Sequence, residues 1–291
     1  MQKVGRLSRM IRNKFIFAFA IGMLFLPMSL SAQTRRALVI GLGEQQDKNW
    51  AKINGDKDVQ YVLEMLKDAK YKDIYTLVNK QATKGRIVSS LKKLTTRCKW
   101  GDVVYIHFSG HGQLVTDVNG DEKDGFDESW IPYDAYLVYG KNDKGEKHLI
   151  DDEINVLLTH IRNKIGDKGK MLVVVDACHS GDSSRGEEND KDIVTRGVWN
   201  NFVIPNKTNI KSSKAPERWL TLSACKDFQL NQEMKTPKVG KLTYSLYMAA
   251  QKGKVSLEEV EIMMSTYRGR LPQTPVLTGE VGKYKLSEFL K

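Results

Sequence analysis

Apolar positions fall into short unbroken runs that alternate with segments of helical spacing. Arg36-Ala-Leu-Val-Ile-Gly41, Asp73-Ile-Tyr-Thr-Leu-Val78, Val103-Val-Tyr-Ile-His-Phe108, Met171-Leu-Val-Val-Val175 and Trp219-Leu-Thr-Leu222 each read as a strand. Between them, Val59, Val62, Leu63 and Leu66 recur at i, i+3, i+4 and i+7, one face of a helix. Ile87, Leu91 and Leu94 predict a second helix with Thr83 as its cap. Ile154, Leu157, Leu158, Ile161 and Ile165 predict a third, and two more are expected over 242–251 and 256–268. Runs apolar on every position belong to strands covered on both faces. Their alternation with helices predicts an α/β domain with a mostly parallel sheet flanked by helices on both sides. Two polar stretches, 112–148 and 179–217, interrupt the pattern and read as long loops, the kind that serve as lids or mobile segments.

The first 32 residues stand apart. Lys3, Arg6, Arg9, Arg12 and Lys14 precede a twelve-residue apolar run, Phe15–Leu26, then Pro27 and Ser29-Leu30-Ser31-Ala32. This is the layout of a secretory signal, too short for a transmembrane helix of about 20 residues. The alternative is an uncleaved anchor. Residues 1–32 are therefore expected to be a signal peptide and 33–291 a single domain of an exported protein, periplasmic or extracellular, not inserted in a membrane once the signal is removed. The net charge of +11 is partly a property of this leader. Its five basic residues face no acid, so +6 remains on residues 33–291. That excess is too mild to imply a nucleic-acid partner.

With 41% apolar and 28% charged residues, the chain has ordinary globular composition. The cysteines number three, which leaves at least one thiol outside any disulfide. The strand at 103–108 runs into Ser109-Gly110-His111-Gly112, and the strand at 171–175 into Asp176-Ala177-Cys178-His179-Ser180-Gly181. In a parallel sheet both ends lie at one edge, so His111 and Cys178 can form a nucleophile–base pair if their strands are neighbours. A lone Cys is more often a small buried hydrophobe and a lone His a turn residue; their matched positions favour chemistry. His179 competes as the base but, adjacent to Cys178, should point elsewhere. The N–H groups of Gly112 and Cys178 are candidates for an oxyanion hole. The cysteines form no CxxC spacing, and zinc is not expected.

These motifs resemble those of caspase-like cysteine peptidases, specifically metacaspases, here a secreted bacterial one. Gly120-Asp-Glu-Lys-Asp-Gly-Phe-Asp-Glu128 with Ile131-Pro132 and Asp134 resembles the family's acidic insertion. Ile150-Asp151-Asp152-Glu-Ile154 resembles its double-Asp helix start. Ser223-Ala-Cys225-Lys-Asp227-Phe-Gln229 and Gln273-Thr-Pro275-Val-Leu277 resemble later segments, so the likeness spans about 35–278. The resemblance implies a caspase-like fold and acyl transfer by a Cys178–His111 dyad. It implies cleavage of proteins or peptides after Arg or Lys, with Asp176, Ser109 and Asp58 in the substrate pocket. It also implies regulatory Ca2+ on Asp127, Asp151 and Asp152, with Asp182 as a stand-in fourth ligand, and no organic cofactor. Asp117-Val-Asn119-Gly-Asp121 with Glu128 has EF-hand-like spacing, but Glu122 stands where the turn needs glycine, which argues against that loop. Asp151 and Asp152 could instead cap a helix. A monomer is expected. Self-processing is expected in the 179–217 loop, after Arg196, which is followed by the small Gly197. The rival assignments are a clostripain- or gingipain-like peptidase and a catalytically silent calcium-dependent binding protein.

Overall fold

A computed structural model describes residues 33–178, 194–198, 200–205, 214–267 and 271–291. The leader, His179 and Asp182 lie outside the described residues. In chain order the elements are β1 (Arg35–Gly41), α1 (Gly55–Asp68), β2 (Asp73–Val78), α2 (Lys84–Arg97), β3 (Val103–Ser109), β4 (Gly112–Thr116), β5 (Phe126–Trp130) and β6 (Leu149–Ile150). Then follow α3 (Asp151–Ile165), β7 (Lys170–Asp176), β8 (Leu220–Ser223), β9 (Glu233–Met234), β10 (Val239–Gly240), α4 (Lys241–Gln251), α5 (Leu257–Thr266) and β11 (Val276–Gly279).

Six strands form the central sheet in the order β11-β8-β7-β3-β1-β2. All neighbours are parallel except β11, which runs antiparallel to β8 at one edge. The unbroken apolar runs are divided by strand alternation between two cores. Ala37, Val39, Tyr105, Leu172 and Val174 share one core with Val62 and Leu66 of α1, Leu246 of α4 and Val260 of α5. Leu38, Ile40, Ile106, Met171 and Val173 share the other with Leu91 of α2 and Leu158 and Ile161 of α3. Thr83 caps α2 by accepting a hydrogen bond from the Arg86 N–H, as its position predicts.

The polar stretch 112–148 is not an unstructured loop. β4 and β5 pair antiparallel, and β6 extends them to a three-stranded sheet. The Asp, Gly and Lys residues that suggested a loop are concentrated in the connections, such as 117–125, and mask two strands of five residues each. The second stretch is corrected in part. Thr195 pairs with Gln232, Gly197 with Gly112, and Val115 with Phe202. The described residues around Arg196 are thus tied to neighbouring strands by isolated bridges.

The candidate active site and its arginine pocket

The chain leaves β1 toward β2 on one side and β3 toward β7 on the other. Open α/β sheets place their ligand crevice at the carboxyl ends of strands on such a reversal. β3 and β7 are neighbours, with Ser109 opposite Asp176. His111 and Cys178 each follow that matched pair by two residues, so the sheet brings the two motifs to one edge. Asp176 ends β7, and Cys178 lies two residues beyond it.

His111 is fully buried. Its Nε2 donates to the Ala51 carbonyl oxygen at 2.8 Å, because a carbonyl can only accept. Among the described residues Nδ1 has no hydrogen-bond partner. In the neutral ring this leaves the lone pair on Nδ1, ready to take a proton. Trp50 packs on the imidazole with ring centroids 5.1 Å apart, and its indole N–H is tied to the Ala135 carbonyl. Burial lowers the His111 pKa, against the opposing effects of the Ala51 carbonyl and the Arg196 backbone. The group that orients the histidine is a backbone carbonyl, which no side-chain motif reveals. Cys178 Sγ and Cys225 Sγ each lie 3.3 Å from the Gln229 carbonyl oxygen.

Arg196 fills a pocket beside this pair and is fully buried. Its Nη1 lies 2.7 Å from Asp58 Oδ2, 2.6 Å from Ser109 Oγ and 3.2 Å from the Asp176 carbonyl. The opposite edge, Nε and Nη2, meets Glu233 Oε1 at 3.1 and 2.9 Å. Asp176 contributes its carboxylate at 3.5 Å, further back than expected. Its oxygens are held chiefly by Asn231 Nδ2 at 2.7 Å and by the Thr243 hydroxyl and N–H at 2.6 and 2.9 Å. Burial pushes Asp176 up, but Arg196, Thr243 and Asn231 outweigh it and leave its pKa lowered. Asp58 goes the other way: burial, with Asp176 nearby, raises it to about 6 despite Arg196. Three buried carboxylates around one guanidinium make a site that demands a cation, since isolated buried charges are strongly unfavourable.

The backbone of this arginine is held as firmly as its side chain. The Arg196 N–H donates to the Asn231 carbonyl at 2.9 Å. Its own carbonyl accepts from the Gly112 N–H at 3.0 Å, the donor expected for an oxyanion hole. A Cβ on Gly197 would lie 3.0 Å from Cys178 Sγ, so the Arg196–Gly197 peptide passes directly against the thiol and a side chain there would crowd it. Gly240 forms a wall of the pocket. A Cβ on it would lie 2.2 Å from Asp176 Oδ2 and 2.6 Å from Arg196 Nη1. The sequence motifs supplied Asp58, Ser109 and Asp176 but missed Glu233 and Gly240, which face each other across the β9–β10 hairpin. No local pattern marks two such short strands.

A second acidic cluster surrounds the β4–β5 turn. Asp127 is buried, and among the described residues neither carboxylate oxygen has a hydrogen-bond partner. Burial, with Asp151, Asp152 and Asp117 nearby, pushes its pKa up to about 8. Ligand atoms of Asp117, Asp121 and Asp127 lie within 4.8 Å of one another. The Asp-x-Asn-x-Asp spacing set aside as an EF-hand loop thus turns two acids toward Asp127. Asp151 and Asp152 do not belong to that group of three. Lys214 Nζ lies 2.5 Å from Asp151 and 4.0 Å from Asp152, and it also pairs with Glu122. They do not cap α3 either: Ile150 is its N-cap, and both acids sit in the first turn. The buried oxygens of Asp127, beside the carboxylates of Asp117 and Asp121, fit a hard divalent cation such as Ca2+.

The fold is that of the caspases. The structure matches caspase-1 of Spodoptera frugiperda with a TM-score of 0.56 and 11% identity, covering 85% of this chain and 86% of that one. It also matches a crystal structure of a Geobacter sulfurreducens protein with a TM-score of 0.62 and 25% identity, over 89% and 97% of the two chains. Within that fold, residues 35–184 match the model of the metacaspase, peptidase C14 domain, and the chain belongs to the metacaspase family. Metacaspase-2 of Arabidopsis thaliana is 32% identical over 155 residues, 50% of this chain and 34% of that protein. Metacaspase-1 of Plasmodium falciparum is 33% identical over 161 residues, 51% of this chain and 24% of that protein. The chain aligns with about a third or less of the length of these relatives.

Proposed function

We propose that this protein is a cysteine endopeptidase that cleaves after basic residues and first cleaves itself after Arg196. The observation that carries this is the placement of the Arg196–Gly197 peptide: side chain in an acidic pocket, carbonyl on the Gly112 N–H, and Gly197 against Cys178. A buried arginine so held is a substrate residue in its own enzyme's cleft.

In the reaction, His111 Nδ1 takes the Cys178 thiol proton, and Sγ attacks the carbonyl carbon of the arginine. The Gly112 N–H, with the Cys178 N–H as second donor, stabilises the resulting oxyanion. The tetrahedral intermediate collapses as the imidazolium gives its proton to the leaving amine, forming a thioester. Water, deprotonated by His111, then hydrolyses the thioester and regenerates the thiol. The Ala51 carbonyl and Trp50 keep the ring in the tautomer and position this needs.

Ca2+ would be held by Asp127 with Asp117 and Asp121, with Asp151 and Asp152 as further acids once Lys214 is displaced. Bound there, it would balance the charge of these acids and hold the turn that joins β5 to β4, the strand that follows His111. The basic, then apolar leader supports export of the enzyme; among the described residues no helix is long and apolar enough to cross a membrane. The silent-binder alternative is disfavoured by the free Nδ1 of His111 and the thiol beside the Arg196–Gly197 bond.

Hydrolysis of fluorogenic peptides ending in Arg, Lys or Asp, with calcium and with chelator, tests this function. Turnover of basic peptides is expected, raised by calcium. Turnover of Asp peptides, or of none of the three by folded protein, would overturn it.

A further inference from the structure

We infer that Glu233 makes the pocket selective for arginine over lysine, a refinement that rests on the peptidase reading above. The guanidinium of Arg196 is read from two sides. One edge, Nη1, is served by Asp58, Ser109 and Asp176. The other edge, Nε and Nη2, is served by Glu233, alone among the described acids. A lysine ammonium is a single point with three donors on one nitrogen, whereas a guanidinium carries its donors on a rigid fork. An ammonium placed at the Nη1 position satisfies Asp58 and Ser109 and leaves the Glu233 side without a cation.

That omission is costly because Glu233 cannot turn away to water. Its side chain is 2% exposed. The Asn54 N–H holds Oε1 at 2.6 Å, and the Asn54 side-chain amide holds Oε2. The Glu233 N–H donates to the Val194 carbonyl at 2.9 Å, so the same residue that reads the guanidinium also pairs with the backbone of the segment that carries Arg196. Asp58 is the acid that the sequence motifs already suggested. Glu233 lies on the β9–β10 hairpin, outside every motif and beyond residues 35–184. A pocket with Asp58 and Asp176 alone would accept either basic residue; Glu233 supplies the discrimination. A hydrogen bond to a charged group is worth about 1.5–3 kcal/mol, so loss of this edge should cost about 10- to 100-fold.

The test measures kcat/KM for matched peptides with Arg or Lys at the cleaved bond, using the full chain and its Glu233→Gln and Glu233→Asp variants. Wild type should favour Arg by about 10-fold or more, and Glu233→Gln should lose most of that preference by slowing Arg turnover while Lys turnover changes little. The same comparison is made within the chain. Arg196→Lys should slow the appearance of a fragment beginning at Gly197, and combining it with Glu233→Gln should bring no further loss. If wild type cleaves neither peptide, the peptidase reading fails. If it cleaves both equally, or if both variants fold and keep the wild-type Arg:Lys ratio, the selectivity role of Glu233 is wrong while the peptidase reading stands.

Discussion

The backbone N–H of Gly112 meets the carbonyl oxygen of Arg196 at 3.0 Å, within the same chain. Gly112 is the residue after the histidine, and Arg196 lies in the segment that follows the cysteine, so one hydrogen bond joins both halves of the site. It polarises the carbonyl that Cys178 would attack. The pocket residues hold the side chain at the same time, so the bound segment is positioned from three directions.

Replacing either member of the reacting pair should stop hydrolysis. Cys178→Ala and His111→Ala should each lower kcat/KM on an arginine peptide by at least about 10³-fold while leaving the circular dichroism spectrum unchanged. Cys225→Ala should keep most activity, although its thiol shares the Gln229 carbonyl with Cys178. An active Cys178→Ala protein would remove the mechanism; a dead Cys225→Ala protein would mean that the other thiol attacks.

The arginine pocket should close when its glycine wall gains a methyl group. Gly240→Ala puts a Cβ into the space of Arg196 Nη1 and Asp176 Oδ2. Turnover of arginine peptides should fall about 100-fold, and Asp58→Asn should cause a comparable loss by removing a charge-assisted bond. Steady-state kinetics on both proteins check this. Unchanged kcat/KM in Gly240→Ala would show that substrate arginines bind elsewhere.

The sheet and the two reacting motifs were legible in the sequence because each depends on local pattern. Apolar runs such as Met171–Val175 report burial on both faces, and Ser109–Gly112 and Asp176–Gly181 stand at strand ends. Asp58 was legible only weakly, through its place ahead of Val59, yet it makes the shortest contact from a pocket acid to Arg196. Glu233, Gly240 and Ala51 were not legible. The first two enter the site through a hairpin of two-residue strands, and Ala51 acts through its carbonyl, which any residue could provide. Lys214, which pairs with Asp151, looked like one basic residue among many in a polar loop.

Activity should fall on the acid side below pH 6.5. Burial lowers the His111 pKa from its ordinary 6.5, so the ring stays neutral, and able to take a proton, to lower pH than a free histidine. Protonation then removes the base as pH drops further. A pH profile of kcat/KM measures this. An acid limb centred above pH 6.5 would contradict the environment described for His111.

Calcium should raise the melting temperature of the protein, and Asp127→Asn should remove most of that rise. Asp127 offers two buried oxygens with no hydrogen-bond partner among the described residues, and binding that is specific to the folded state stabilises it. Differential scanning fluorimetry with calcium and with chelator reads the effect on wild type and variant. Equal calcium shifts in the two proteins would place the ion away from Asp127; no shift in either would leave the cluster to Lys214 alone.

The most direct test of the account is the intact mass of the full chain after incubation with calcium, beside its Cys178→Ala variant. Wild type should convert to two fragments with the new N-terminus at Gly197, and Cys178→Ala should remain whole. Cleavage of the variant at the same bond and rate, or a wild-type chain that hydrolyses arginine peptides yet keeps the Arg196–Gly197 bond intact, would contradict the reading of Arg196 as the enzyme's own first substrate.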